Sequence, residues 1–212
     1  ITEAVTKGLD KNVPMKDSGI EWIGDIPCEW NIQPLKYIIK IRNEKTNDTQ
    51  NYIGMENVES KTGKIINQGS IQAEKEALSI KKGDVLFGKL RPYLAKVYRV
   101  EIDGCCSTEF MVSIPERIDG QFLKYLYLAN GFIQAINMTT YGTKMPRANA
   151  EFIKNLKIVL PTFDEQRKIA IYLDNKCIEI DNLVEEKGKL IENIEEYKKS
   201  LIYEYVTGKK AV

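Results

Sequence analysis

The sequence predicts an α+β chain: a mixed α/β domain followed by one long C-terminal α-helix that forms an antiparallel helix pair or coiled coil with another. Three observations carry that expectation. Short apolar and alternating runs, set apart by Gly, Pro and Asp turns, fill residues 30–160. Residues 162–206 lack proline and place apolar side chains at three- and four-residue spacing. Basic residues gather in the middle of a chain whose formal net charge is only +1.

Within residues 30–160, strands are expected at Asn51–Gly54, Asp84–Leu90, Lys96–Glu101, Glu109–Ile114 and Leu156–Leu160. Lys82-Gly83-Asp84 and Ile102-Asp103-Gly104 supply turns between them. The stretch QFLKYLYLANGFIQAINMTTYG has helical spacing in Phe122, Leu123, Leu126, Leu128, Phe132 and Ile136, which predicts two short helices broken at Asn130-Gly131. Strands and helices do not alternate regularly, so a doubly wound parallel sheet is excluded as the expectation. Ahead of the domain, DSGIEWIGDIPCEWNI offers Trp22, Ile23, Ile26 and Trp30 as anchors that pin the entering segment. The expected divisions are a junction and anchor segment at 1–29, the domain at 30–160, the helix at 161–207 and a tail at 208–212.

The long helix has a recognisable start. Pro161 ends the strand-like run LKIVL, and Thr162 with Glu165 forms a T-x-x-E capping box, each side chain reaching the other's backbone N–H. Ile169, Leu173, Ile180, Leu183, Leu190, Ile194, Tyr197 and Leu201 then make an apolar stripe, interrupted by Lys176 and Lys187. Cys177, Val184 and Ile191 widen it. At 1.5 Å per residue such a helix is about 60 Å long, more than a globular core needs. Its stripe calls for a second long helix, and those eight positions are the candidate pairing residues.

Hydrophobic residues make up 43% of the chain and charged residues 29%, which suits a packed core and not a disordered chain. No stretch approaches the roughly 18–20 apolar residues of a membrane helix. Cys28, Cys105, Cys106 and Cys177 include no C-x-x-C pair, so reduced thiols in a cytosolic protein are the simplest reading. The absence of histidine excludes a histidine-based triad and disfavours zinc, and no metal site is expected. There is no G-x-G-x-x-G, Walker A or G-x-S-x-G motif, so no catalytic residue is assigned.

Between Lys61 and Arg99 nine basic residues stand against three acidic ones, and between Gln121 and Lys157 five stand against one. A surplus of that kind suits a polyanion. GKLRPYLAK places Lys89, Arg91, Tyr93 and Lys96 in and after an expected strand, where period-two alternation sends Lys89, Arg91 and Tyr93 to one face. TTYGTKMPRANAE presents Tyr141, Thr143, Lys144, Arg147 and Asn149 from a loop shaped by Gly142 and Pro146. Cations suit phosphates and the guanine edge, and Asn suits adenine, so these nine are the candidate DNA-binding residues. The bland alternative is a polar loop and a solvated lysine-rich surface.

Four motifs, DSGIEWIGDIPCEW, GDVLFGKLRPYLAKV, CSTEFMVSIP and LPTFDEQRKIAIYLD, make the chain resemble the specificity (S) subunits of bacterial type I restriction–modification systems. The resemblance runs along nearly the whole chain and implies one target recognition domain followed by its long helix. It further implies no catalysis by this chain, which would read one half of a bipartite double-stranded DNA target in the cytoplasm. Implied partners are methylation (M) subunits, a restriction (R) subunit, and a second S half or another copy through the long helix. S-adenosylmethionine, ATP and Mg would belong to those partner subunits, with no cofactor and no membrane partner for this chain.

The usual pattern has two recognition domains and two helices, whereas one of each is present here. Ile1, Glu3, Val5 and Thr6 recur in register as Ile202, Glu204, Val206 and Thr207, as expected if ITEAVT matches the end of a preceding long helix. The chain would then be the C-terminal half of a longer S subunit. Two other classes stay open at this point: a fragment of a self-contained DNA-modifying enzyme, which should show a cofactor loop, and a coiled-coil adaptor without a DNA role, which leaves the basic middle unexplained.

Overall fold

Residues 1–66, 76–140 and 145–209 are described by the computed structural model. Helix α1 (Thr2–Lys7) ends at Gly8, where φ is +79° and a Cβ would lie 3.2 Å from the Trp30 ring. Both the left-handed backbone and the lack of room require glycine there. Strands β1 (Met15–Asp17) and β2 (Asp25–Pro27) form an antiparallel hairpin, Lys16 opposite Ile26. The predicted anchors Ile23, Ile26 and Trp30 are buried, and Trp22 packs edge-on against Phe132 at 6.0 Å.

The chain continues through β3 (Asn31–Pro34), β4 (Ile39–Arg42), β5 (Lys45–Thr46), β6 (Tyr52–Ile53), β7 (Ala77–Ile80), β8 (Val85–Gly88) and β9 (Val97–Arg99). After β10 (Gly104–Ser107) and β11 (Phe110–Pro115) come α2 (Gly120–Leu128), α3 (Asn130–Asn137), α4 (Ala150–Asn155), β12 (Lys157–Leu160) and α5 (Phe163–Val206). One sheet has the order β4-β11-β8-β9, antiparallel throughout. A second has the order β5-β7-β10-β6, with only the β10–β6 pair parallel. β3 pairs with β12.

Period-two alternation explains how the sheets pack. From the first sheet Leu86, Phe110 and Val112, and from the second Ile53, Leu78, Ile80 and Cys106, meet in one apolar cluster. The intervening side chains face the helices. Phe87 stands edge-on to Tyr127 at 5.5 Å and to Phe132 at 5.9 Å, while Tyr127 stacks on Phe132 at 5.1 Å. Ser113 shares a 2.9 Å hydrogen bond with the Tyr127 hydroxyl. Burial pushes that hydroxyl's pKa up, and the Ser113 bond partly offsets it. Covered on both faces, β8 is buried at all four residues, which is why it reads as a continuous apolar run and not as an alternating one.

The two short helices are separate, but the break falls at Ala129 (ψ 131°), ahead of the expected Asn130-Gly131, which begins α3. The Lys82-Gly83 turn is held by Asp84, which accepts from Lys81 N and from Arg42 Nε, both at 2.9 Å. Arg42 and Asp84 are almost fully buried, and their hydrogen bond raises the Arg42 pKa, keeping the guanidinium charged.

The chain divides into two compact units, Ile1–Ala170 and Ile171–Val212. In the first, the capping box forms as expected: Thr162 N and its hydroxyl donate to Glu165 Oε2 at 3.1 and 2.8 Å, and Glu165 N donates back at 3.4 Å. Trp30 Nε1 donates to the other carboxylate oxygen at 3.1 Å, and Gln166 takes Asp119 N at 2.7 Å. Residues 1–29 therefore belong to the same unit as the domain they enter. In the second unit, helical residues Ile180, Leu183, Leu190, Ile194 and Tyr197 are exposed and Leu201 half-buried, whereas Ile169, in the first unit, and Leu173 are buried. The last threonine of the repeated phrase bonds back four residues at both places: Thr6 Oγ1 donates to Thr2 O and Thr207 Oγ1 to Tyr203 O.

Two outcomes follow for stability. Phe87→Ala removes the ring between two others in a site without solvent and is expected to cost about 3–5 kcal/mol, read from denaturant midpoints. For Glu165, burial raises the carboxyl pKa, but the hydrogen bonds from Trp30 and Thr162 outweigh it and hold the group below its ordinary value. A carboxyl lower in the folded than in the unfolded chain contributes stability above its unfolded pKa, lost as pH falls through the folded one. Glu165→Gln should therefore lower stability at neutral pH and flatten the acid decline below about pH 4, measured by urea unfolding across pH.

Candidate nucleic-acid interface

The expected strand Asp84–Leu90 is a ladder strand only to Gly88, and Arg91–Tyr93 is not extended. That corrects the one-face alternation anticipated for Lys89, Arg91 and Tyr93. The reason is Pro92, which has no N–H for a ladder and opens a 3-10 turn, Pro92–Leu94. Arg91 before it and Ala95 after it both lie in the left-handed region, at φ 49° and 47°. Two non-glycine residues held there mark a segment fixed by its surroundings at a local conformational cost. Gly88 contributes by its size: a Cβ would sit 2.7 Å from Met55 Cε and 3.3 Å from Lys96 Cβ.

What fixes the segment is a second one. Ala148 N donates to Lys89 O at 2.9 Å and Arg91 N donates to Pro146 O at 2.7 Å, so Leu90 and Arg147 lie opposite each other in an antiparallel bridge. From the other side Lys89 N donates to Glu109 O at 2.9 Å. Three of the predicted cations, Lys89, Arg91 and Arg147, are thereby gathered from two segments more than fifty residues apart in sequence. Tyr93 follows on the 3-10 turn and is 46% exposed.

The remaining candidates have different surroundings. Lys96 turns inward and donates to Met55 O at 2.6 Å and Val58 O at 2.8 Å, satisfying the end of a 3-10 turn. Burial lowers its pKa. Asn149 caps α4, its Oδ1 accepting from Glu151 N at 2.8 Å. Tyr141, Thr143 and Lys144 lie outside the described residues.

One participant was missed in the sequence. Glu109 Oε1 forms an ion pair with Arg147 Nη2, and Glu109 Oε2 is buried without a hydrogen-bond partner among the described residues. An acid in CSTEF gives no reason to expect it among cations; only its place, one residue ahead of an apolar strand, hints that it sits at a strand mouth. Lys89 is half-buried, and burial lowers its pKa while Glu109 raises it and Arg147 lowers it. The cluster thus has a net positive field with a single carboxylate in it. Such a surface suits phosphate oxygens and acceptor-rich base edges. Among the described residues no group of acids and cysteines is placed to hold a metal ion, and no helix is long and apolar enough to cross a membrane.

Residues 27–196 match the type I restriction modification DNA specificity domain. The chain belongs to that family. The family is one of DNA specificity, and its member here is a recognition module and not an enzyme. It is 27% identical over 224 residues to the type I restriction enzyme MjaVIII specificity subunit of Methanocaldococcus jannaschii, covering 96% of this chain and 51% of that protein. It is 24% identical over 163 residues to the type I restriction enzyme EcoDI specificity subunit of Escherichia coli, covering 74% of this chain and 36% of that one. The chain thus spans about half or less of the curated relatives it matches.

Solved structures share the fold. The HsdS subunit from Thermoanaerobacter tengcongensis gives a TM-score of 0.66 at 24% identity, over 82% of this chain and 48% of that one. A chain from a study of complex assembly and conformational transition of the type I R-M system gives 0.73, also at 24% identity, over 84% and 50%. The α+β architecture with a long C-terminal helix is therefore that of type I specificity subunits.

Lys96→Met in this specificity domain should cost about 1–3 kcal/mol, because two carbonyls lose their donor. Thermal unfolding measures it.

Proposed function

We propose that this chain reads one half of a bipartite double-stranded DNA target for a type I restriction–modification complex, through the face where Lys89–Pro92 meets Pro146–Ala148. The observation that supports this most is the backbone pairing of the two segments, which brings the main chain of Lys89 and Arg91 up to that of Arg147. Arg91 and Arg147 are the candidates for phosphate or guanine contact and Tyr93 for contact beside them, with Lys144 kept as a candidate from the sequence. Lys96 and Asn149 serve the frame first, by their hydrogen bonds to backbone.

The long helix serves as a spacer. At 1.5 Å per residue its 44 residues span about 66 Å. Its exposed stripe of Ile180, Leu183, Leu190, Ile194 and Tyr197 pairs antiparallel with a second long helix, from another S half or another copy. Two recognition domains held that far apart lie beyond one DNA turn of about 34–36 Å, leaving an unread gap between half-sites. Methylation and restriction subunits dock on this scaffold in the cytoplasm and bring S-adenosylmethionine, ATP and Mg with them.

The test is methylome sequencing of cells expressing the intact system, followed by binding of the assembled complex to the target found. Arg91→Ala and Lys144→Ala are expected to weaken binding. Equal loss on all sequences, with a shallower salt dependence, marks phosphate contact; relaxed preference at one base pair, by about 1–3 kcal/mol, marks base reading. No effect from either, and none from Arg147→Ala, would overturn this placement of the DNA face.

A further inference from the structure

An acid in the middle of a DNA-facing cation cluster works against phosphate binding by simple repulsion, so Glu109 calls for a separate reason. Its geometry supplies one. The backbone carbonyl of Glu109 holds Lys89 N, and one carboxylate oxygen holds Arg147 Nη2. The other oxygen is shut away from solvent with no hydrogen-bond partner among the described residues. The carboxylate is therefore not reaching outward to a base. The Arg147 side chain, by contrast, stays 47% exposed with its backbone fixed opposite Leu90.

We propose that Glu109 is a positioning residue that aims the Arg147 guanidinium for base reading, and that Arg147 is the residue of this face that discriminates guanine. The inference rests on the DNA-facing reading above. An arginine recognises the guanine O6 and N7 edge only when its planar fork lies in the plane of the base. A free arginine on a loop loses rotamer entropy on being fixed, and a carboxylate that already grips one nitrogen removes part of that cost before binding. The remaining N–H groups of the fork stay available to DNA. The unpaired second oxygen adds a negative field beside Lys89, whose half-buried ammonium it favours.

A positioning acid and an acid that merely supports the fold give opposite signs on non-target DNA. Without the carboxylate, the cluster gains one unit of positive charge, so binding to a scrambled duplex should rise or hold. Binding to the target should fall, because Arg147 is no longer aimed. The experiment measures affinity of the assembled complex for target and scrambled duplexes with Glu109→Ala, Glu109→Gln and Arg147→Ala. Glu109→Ala is expected to lower the target-to-scrambled ratio by about tenfold or more, the loss mapping to one guanine. Glu109→Gln keeps an acceptor for Arg147 and should restore part of that ratio. In the Arg147→Ala background, Glu109→Gln should leave the ratio unchanged.

Parallel loss on both duplexes, or an unchanged ratio with Glu109→Ala, overturns the positioning role. If Arg147→Ala weakens target binding while Glu109→Ala and Glu109→Gln do not, only the role of Glu109 is lost. If Arg91→Ala, Lys144→Ala and Arg147→Ala all leave both duplexes unaffected, the DNA face itself is wrongly placed and this inference falls with it.

Discussion

Everything in the recognition domain depends on β8 being covered from both sides. Leu86 enters the cluster between the sheets while Phe87 enters the aromatic cluster under α2 and α3. Next to it, β11 does the same: Phe110 and Val112 enter the inter-sheet cluster while buried Met111 lies opposite Phe87. Burial at the scale of Phe87 and its neighbours is worth several kcal/mol, far more than any exposed ion pair on the surface. The consequence reaches the interface. With β8 fixed, Gly88 must pass close to Met55 and Lys96, and Lys89 must emerge where Glu109 O receives it.

The elements that depend on local chemistry were legible in the sequence. The T-x-x-E box at Thr162, the helix break near Asn130 and the strands around residues 52, 86, 98, 112 and 158 all follow from periodicity and punctuation. The elements that depend on distant partners were not. β10, in GCCS, draws attention to its cysteines and not to extension, yet both are buried in a ladder between β7 and β6. β4 and β7 are short and become strands because β11 and β10 pair with them. β1 and β2 lay within a segment read as junction and anchor, since three-residue strands carry too little pattern to announce themselves.

The candidate interface shows the same division. The two segments rich in cations were visible as composition, but their meeting was not, because it consists of two main-chain hydrogen bonds that leave no mark on residue type. Extension through Lys89–Tyr93 failed as an expectation at Pro92, whose turn forces left-handed backbone on either side. Lys96 looked like a surface cation by residue type and is instead a donor to two inward carbonyls. Glu109 is the converse, an acid that composition would set aside and geometry places at the centre.

That frame of main-chain hydrogen bonds has an evolutionary consequence. Every residue type except proline carries the N–H and C=O groups that tie Lys89 and Arg91 to Pro146 and Ala148. The outward side chains at these positions can thus be exchanged without dismantling the support beneath them. On the proposed reading, a single codon change there would alter the preferred sequence while leaving the main-chain frame assembled. New sequence preferences would then lie one viable step from old ones.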